Sequence, residues 1–176
     1  HTIDKILYET NVQSNNLFSV LLLKTIAYET KKYGNEQNGI DTLLSFWQSK
    51  GIDLKGMFMV DGSGLSRYNA ISTRHMGKIL NSIANGDSTL FNKFYESLPI
   101  AGKSGSLGKL CKGTRAENNV HAKSGSMTRV RSYAGYVTSK KKHLLSFAVI
   151  VNNYDCQPQL IREKLEKLMI AMAEID

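Results

Sequence analysis

The side chains best able to do chemistry lie in three short polar stretches, far apart in the chain. The richest is Lys123-Ser124-Gly125-Ser126, preceded by His121-Ala122. Laid along an extended edge, it offers a positive charge from Lys123 and hydroxyl donors from Ser124 and Ser126. At Gly125 a ligand can approach the main chain closely. That set suits a carboxylate. A solvated lysine in a glycine/serine turn is the plainer account of the same residues. The second stretch, Ser14-Asn15-Asn16, precedes an apolar run, where Ser14 or Asn16 would ordinarily cap the free N–H groups of a helix. The third, Asp61-Gly62-Ser63-Gly64, reads first as a turn whose glycines supply positive φ.

The elements that must position these stretches follow from periodicity. A first helix is predicted from Ser14 or Asn15. Leu17, Val20, Leu21 and Lys24 share one face, and Phe18, Leu22, Leu23 and Ile26 cover much of the rest, so this helix is expected to be buried. A second runs from about Gly39 to Gly51, with Ile40, Leu43, Leu44 and Trp47 at helical spacing. A short strand, Met57 to Val60, leads into the Asp61 turn. Ser72 is predicted to cap a third helix striped with Met76, Ile79, Leu80 and Ile83. A short fourth helix carries Phe91, Phe94, Tyr95 and Leu98 ahead of Pro99.

Beyond Pro99 the pattern changes. Gly102 to Gly113 is a glycine-rich loop, and Val120–Ser124, Ser132–Thr138 and His143–Asn152 read as strands. The last two, joined at Lys140-Lys141-Lys142, form an antiparallel hairpin. Pro158 opens a final helix at its first position, with Ile161, Leu165, Leu168, Met169 and Met172 inward. The predicted class is α+β in a single unit. Residues 1–98 are mostly helical, residues 99–176 form an antiparallel sheet with a C-terminal helix on it, and the helices are segregated from the sheet.

Bulk properties narrow the function classes. A chain of 176 residues, 41% hydrophobic and with two prolines, can bury one core. No apolar run is long enough to span a bilayer and no signal peptide opens the chain, so no transmembrane segment is expected. His1-Thr2-Ile3-Asp4-Lys5 reads as mid-protein text, and the chain is expected to be a piece of a longer protein. The net charge of +8 favours anionic partners, but the lysines are dispersed, with no arginine stripe interleaved with aromatics, which argues against nucleic acid. Cys111 and Cys156 have no metal-ligand spacing, so no zinc site is expected; no cofactor is expected either. They could pair in an oxidising compartment or stay separate thiols.

Taken together, the three polar stretches resemble the serine penicillin-recognising enzymes, which carry Ser-x-x-Lys, Ser-x-Asn and Lys-Thr/Ser-Gly elements in that order. Ser14-Asn15-Asn16 matches the second and Lys123-Ser124-Gly125 the third. Asp61-Gly62-Ser63-Gly64-Leu65-Ser66-Arg67 is similar to a segment typical of the D-alanyl-D-alanine carboxypeptidase/endopeptidases of the class C low-molecular-mass penicillin-binding proteins. Leu98-Pro99-Ile100-Ala101-Gly102 and Tyr133 to Val137 resemble that family too. The resemblance implies the penicillin-binding-protein transpeptidase / β-lactamase-like fold. It implies peptidoglycan peptides and β-lactams as partners of the full-length protein, and a periplasmic or otherwise extracytoplasmic location.

By the same resemblance Ser14 relays a proton to the leaving group with help from Lys123, and Asn16 holds a substrate amide. Lys123, Ser124 and Ser126 bind the terminal carboxylate, beside Gly125, and the N–H of Ser126 is half of an oxyanion hole. Asp61, Gly62, Ser63 and Gly64 form a supporting loop. The family's nucleophile is missing, because no Ser-x-x-Lys precedes Ser14. Ser106-Leu107-Gly108-Lys109 and Ser139-Lys140-Lys141-Lys142 follow it in the wrong order, outside helices, and are read as chance.

The expectation is a fragment of a serine-type carboxypeptidase, inactive by itself. The alternative is a non-catalytic peptidoglycan-binding module of the same fold. A β-lactamase is disfavoured, since nothing resembles the glutamate-bearing loop of the class A enzymes. The edge of the 143–152 strand is expected to lack a partner, which would favour a homo-oligomer.

Overall fold

The computed structural model describes residues 2–176, so His1 lies outside the described residues. The chain runs α1 (Ile3–Asn11), α2 (Asn16–Lys31), α3 (Glu36–Ser49), α4 (Thr73–Ala84), α5 (Ser88–Ser97), β1 (His121–Met127), β2 (Val130–Thr138), β3 (Leu144–Asn152) and α6 (Pro158–Ala173). The three strands form one antiparallel sheet in the order β1-β2-β3.

Alternation along β2 sends successive side chains to opposite faces. Tyr133 and Val137 enter one core with Ile161, Leu165 and Met169 of α6. Tyr136 enters the other with Leu80 of α4, Leu98 and partly buried Phe91, Phe94 and Tyr95 of α5. The Tyr136 hydroxyl donates to the Leu80 carbonyl at 2.7 Å, which satisfies the one polar atom that the ring carries inward. The predicted segregation of helices from the sheet therefore gives way to a sheet held between α6 and the α4–α5 pair. Both faces of β2 are apolar, and each needs its own cover.

Local signals explain most boundaries. Ser72 caps α4 through His75 N–H, whose ring lies at 3.4 Å from the Ser72 N–H in return. Pro158 is the first residue of α6, whose buried side is Ile161, Leu165, Met169 and Ala173. Leu168, expected inward, is 42% exposed, because the stripe advances by fours and leaves it on the flank.

Four sequence expectations shift. α1 had no counterpart in the sequence reading, and none of its residues is buried. α3 begins at Glu36, capped by the Asn35 side chain, and Gly39 lies inside it where the helix crosses Leu23 of α2. Met57–Val60 is no strand: only Phe58 bridges Ala70, and the Asn69 side chain takes the Val60 N–H. α2 is not buried all round. Leu23 and Ala27 are covered, whereas Leu17 is 62% exposed and Leu21 and Ile26 are also exposed, since no described element lies over that side.

Candidate active site

Ser14 stands in the turn between α1 and α2 with φ 54°, a left-handed conformation that costs a non-glycine residue about 1 kcal/mol or more. The turn is anchored from α1, where Asn11 donates to the buried Ser97 hydroxyl of α5 at 2.8 Å. Neither Ser14 nor Asn16 caps α2. Asn15 does, its side chain accepting from Leu17 N–H at 3.1 Å and Phe18 N–H at 3.3 Å. The Ser14 hydroxyl is thereby left for another partner. Asn16, the first residue of α2, is exposed and its side chain makes no hydrogen bond among the described residues.

That partner is Lys123, whose Nζ donates to the Ser14 Oγ across 109 residues of chain and to the Ser124 carbonyl at 3.2 Å. Lys123 forms no ion pair among the described residues. Burial pushes its ammonium below the ordinary lysine value. A half-buried cation bonded only to neutral oxygens attracts an anion.

The backbone of β1 adds directed donors. Ala122 N–H points away from β2 and donates to the Pro99 carbonyl at 2.9 Å. Residues two and four further on share that direction, so the N–H groups of Ser124 and Ser126 also face outward. After Ile100, which bridges His121, the neighbouring chain turns off into a 3-10 turn, Gly105–Leu107, and β1 continues as an open edge. Lys123 projects to the Tyr136 face, whereas Ser124 and Ser126 project to the Tyr133 face. At Gly125 the strand lies close to its neighbour: a Cβ there would lie 2.5 Å from the Ser132 hydroxyl, which would have to rotate away.

Ser106 was missed as a site residue. It lies in the 3-10 turn, and its hydroxyl meets that of Ser124 at 2.7 Å. The turn is seated by fully buried Leu107, and Gly105 packs against the Val12 carbonyl just before Ser14. A lone serine beside a buried leucine in a glycine-rich loop was the sole signal, and it does not say which way the loop folds. The other Ser-x-x-Lys string is structural: buried Ser139 accepts from His143 N–H at 3.3 Å, and Lys140 pairs with Asp176 at 2.8 Å.

The Asp61–Gly64 loop does not join this cluster by any hydrogen bond. It lies on the flank of α2, with Gly62 over Ser19 and Leu23. Gly64 takes the expected positive φ, 78°, whereas Gly62 does not. The Asp61 carboxylate is used internally, accepting from Gly64 and Ser66 N–H, each at 2.6 Å. Partial burial alone would raise its pKa. The donors from Gly64, Ser66, Asn69 and Ser63 outweigh that and hold it below the usual carboxylate value. Among the described residues no group of His, Cys, Asp and Glu side chains could hold a metal ion. Cys111 and Cys156 are free thiols, and burial with the nearby Glu166 charge pushes Cys111 up to about 12.

Known proteins resemble this chain in sequence and in fold. Residues 2–174 match the D-Ala-D-Ala carboxypeptidase 3 (S13) family. The chain is 32% identical over 146 residues to the D-alanyl-D-alanine carboxypeptidase of Actinomadura sp. strain R39, covering 80% of this chain and 27% of that protein. It is 31% identical over 146 residues to D-alanyl-D-alanine carboxypeptidase DacB of Haemophilus influenzae, covering 81% and 30%. It thus spans about a third or less of the length of these relatives. The crystal structure of penicillin binding protein 4 (dacB) from Haemophilus influenzae superposes with a TM-score of 0.85 at 26% identity, over 97% of this chain and 40% of that one. The TLA-1 extended-spectrum β-lactamase, at 14% identity and a TM-score of 0.69, shares the fold. The chain belongs to the D-Ala-D-Ala carboxypeptidase 3 (S13) family.

Proposed function

We propose that this chain forms one wall of the active site of a serine-type D-alanyl-D-alanine carboxypeptidase/endopeptidase that cuts peptidoglycan stem peptides through an acyl-enzyme. The observation that carries the reading is the Lys123–Ser14 contact beside an open strand edge. A terminal carboxylate would neutralise Lys123 and accept from the Ser124 and Ser126 hydroxyls. The outward N–H of Ser126 would stabilise the oxyanion, and the Asn16 side chain would hold the substrate amide. Ser14, bonded to a lysine of lowered pKa, suits proton relay to the leaving amine. The Asp61–Gly64 loop would support the α2 side of the cleft.

Residues 1–13 contain no Ser-x-x-Lys, so the acylated serine is not supplied by this sequence ahead of Ser14. For this chain alone, that favours binding without turnover. Among the described residues no helix is long and apolar enough to cross a membrane. A peptidoglycan substrate implies an extracytoplasmic, for instance periplasmic, location, and β-lactams as further ligands of the full-length protein.

Calorimetric titration with an acylated D-Ala-D-Ala peptide tests the reading. The chain is expected to bind it, with about ten-fold or greater weakening in Lys123→Ala. Intact mass after incubation with a penicillin is expected to be unchanged. Equal affinity in the variant, or stoichiometric labelling of a serine in this chain, would overturn it.

A further inference from the structure

Two serine hydroxyls meet beside the open edge of β1. Ser124 Oγ donates to Ser106 Oγ at 2.7 Å, across 18 residues of chain. A serine hydroxyl has one proton and two acceptor lone pairs. In this direction the Ser124 proton is taken by Ser106, and Ser124 has none left for a ligand. The pair is exposed, where such a bond adds little to folding and water could replace either partner.

Ser106 nevertheless sits on a firm support. Leu107 beside it is fully buried, and its carbonyl accepts from Gly102 N–H at 3.0 Å. The Gly105 carbonyl accepts from Gly108 N–H at 3.2 Å, which closes the 3-10 turn. Gly105 has φ 54°, and a Cβ there would lie 2.9 Å from the Val12 carbonyl oxygen and 3.1 Å from the Pro99 ring. The Pro99 carbonyl in turn holds Ala122 N–H of β1 at 2.9 Å. The turn is therefore seated against both the approach to Ser14 and the start of β1, and the hydroxyl that it carries is pre-organised.

We propose that Ser106 is a positioning residue for the carboxylate site and acts through Ser124. When a carboxylate oxygen reaches Ser124, both hydroxyls rotate. Ser106 becomes the donor to Ser124 Oγ, and the Ser124 proton turns to the ligand. No covalent bond changes, and each proton stays on its own oxygen. A hydroxyl that accepts one hydrogen bond donates a stronger one, so the relay from Ser106 through Ser124 strengthens the bond to the carboxylate. That the ligand is a peptide carboxylate rests on the carboxypeptidase reading.

A double-mutant cycle tests the relay, read by calorimetric titration of the chain with an acylated D-Ala-D-Ala peptide. Ser106→Ala is expected to weaken binding about three- to ten-fold, and Ser106→Thr, which keeps the hydroxyl, to restore it. Added to Ser124→Ala, the Ser106→Ala change is expected to have no further effect, because the hydroxyl that it acts through is gone. Added to Ser126→Ala, on the same face of the strand, it is expected to keep its full effect. A loss that persists in the Ser124→Ala background overturns the proposal, since Ser106 would then touch the ligand or merely support the turn. Binding by Ser106→Thr as weak as by Ser106→Ala, or native affinity in Ser106→Ala, overturns it as well. Each of these results with peptide binding still weakened by Lys123→Ala removes the relay and leaves the carboxypeptidase reading standing. Peptide affinity indifferent to Lys123→Ala sinks that reading, and the relay with it.

Discussion

His121 stands two residues before Lys123, its ring stacked on Tyr95 at 3.9 Å and its Nδ1 at 3.2 Å from the Tyr95 carbonyl. Burial lowers its pKa below 6.5, the Tyr95 hydrogen bond partly opposes this, and the charge of Lys103 adds to the lowering. A lowered histidine pKa means that the unfolded chain binds the proton more readily. The stability from keeping this ring neutral is complete above the ordinary histidine pKa and is lost as pH falls through the folded value. Urea midpoints of the native chain are expected to drop between about pH 7 and about pH 5, with a shallower drop in His121→Gln. Equal slopes would remove His121 from the anchoring of β1. At this scale the sequence disclosed residue types well. Ser14 and Lys123 were legible because each sits in a short motif, and Ser106 was not, because its place depends on Gly105 meeting the Val12 backbone.

Among elements, α2 is capped by a single side chain. Asn15 answers two of its free N–H groups, and Ser14 stays available to Lys123 because Asn15 does so. Asn15→Ala is expected to cost about 1 kcal/mol in chemical denaturation. It should also weaken peptide binding in the titration, whereas Asn35→Ala, the equivalent cap of α3, should lower stability alone. The strands, α4 and α6 were readable from alternation, a serine cap and Pro158, all of which are local. α1 was not. Its footing is lateral, through the Lys93–Asp4 pair at 2.9 Å and the Asn11–Ser97 bond, and lateral contacts leave little trace in a hydrophobic pattern. Gly39 misled the placement of α3 because a glycine inside a helix usually marks an end, and here it marks a crossing with Leu23.

For the whole molecule, two cores meet across β2, while β1 and β3 are the outer strands. The outward amides of β3 have no strand partner among the described residues. Faster hydrogen exchange is expected there than for the β3 amides turned to β2, together with concentration-dependent association by light scattering. Uniform protection along β3 in a monomer at high concentration would count against a role for that edge.

The register of β1 on β2, closed by the two-residue link between Met127 and Val130, fixes which side chains of β1 face which layer. Lys123 reaches Ser14, and Ser124 reaches Ser106, solely because odd and even positions are assigned as they are. A one-residue slip of β1 against β2 would swap the two sets and turn the ammonium toward α6. The hairpin is therefore expected to accept a longer turn only where the pairing of Lys123 with Ala134 is kept, a constraint imposed by the chemistry of a neighbouring strand.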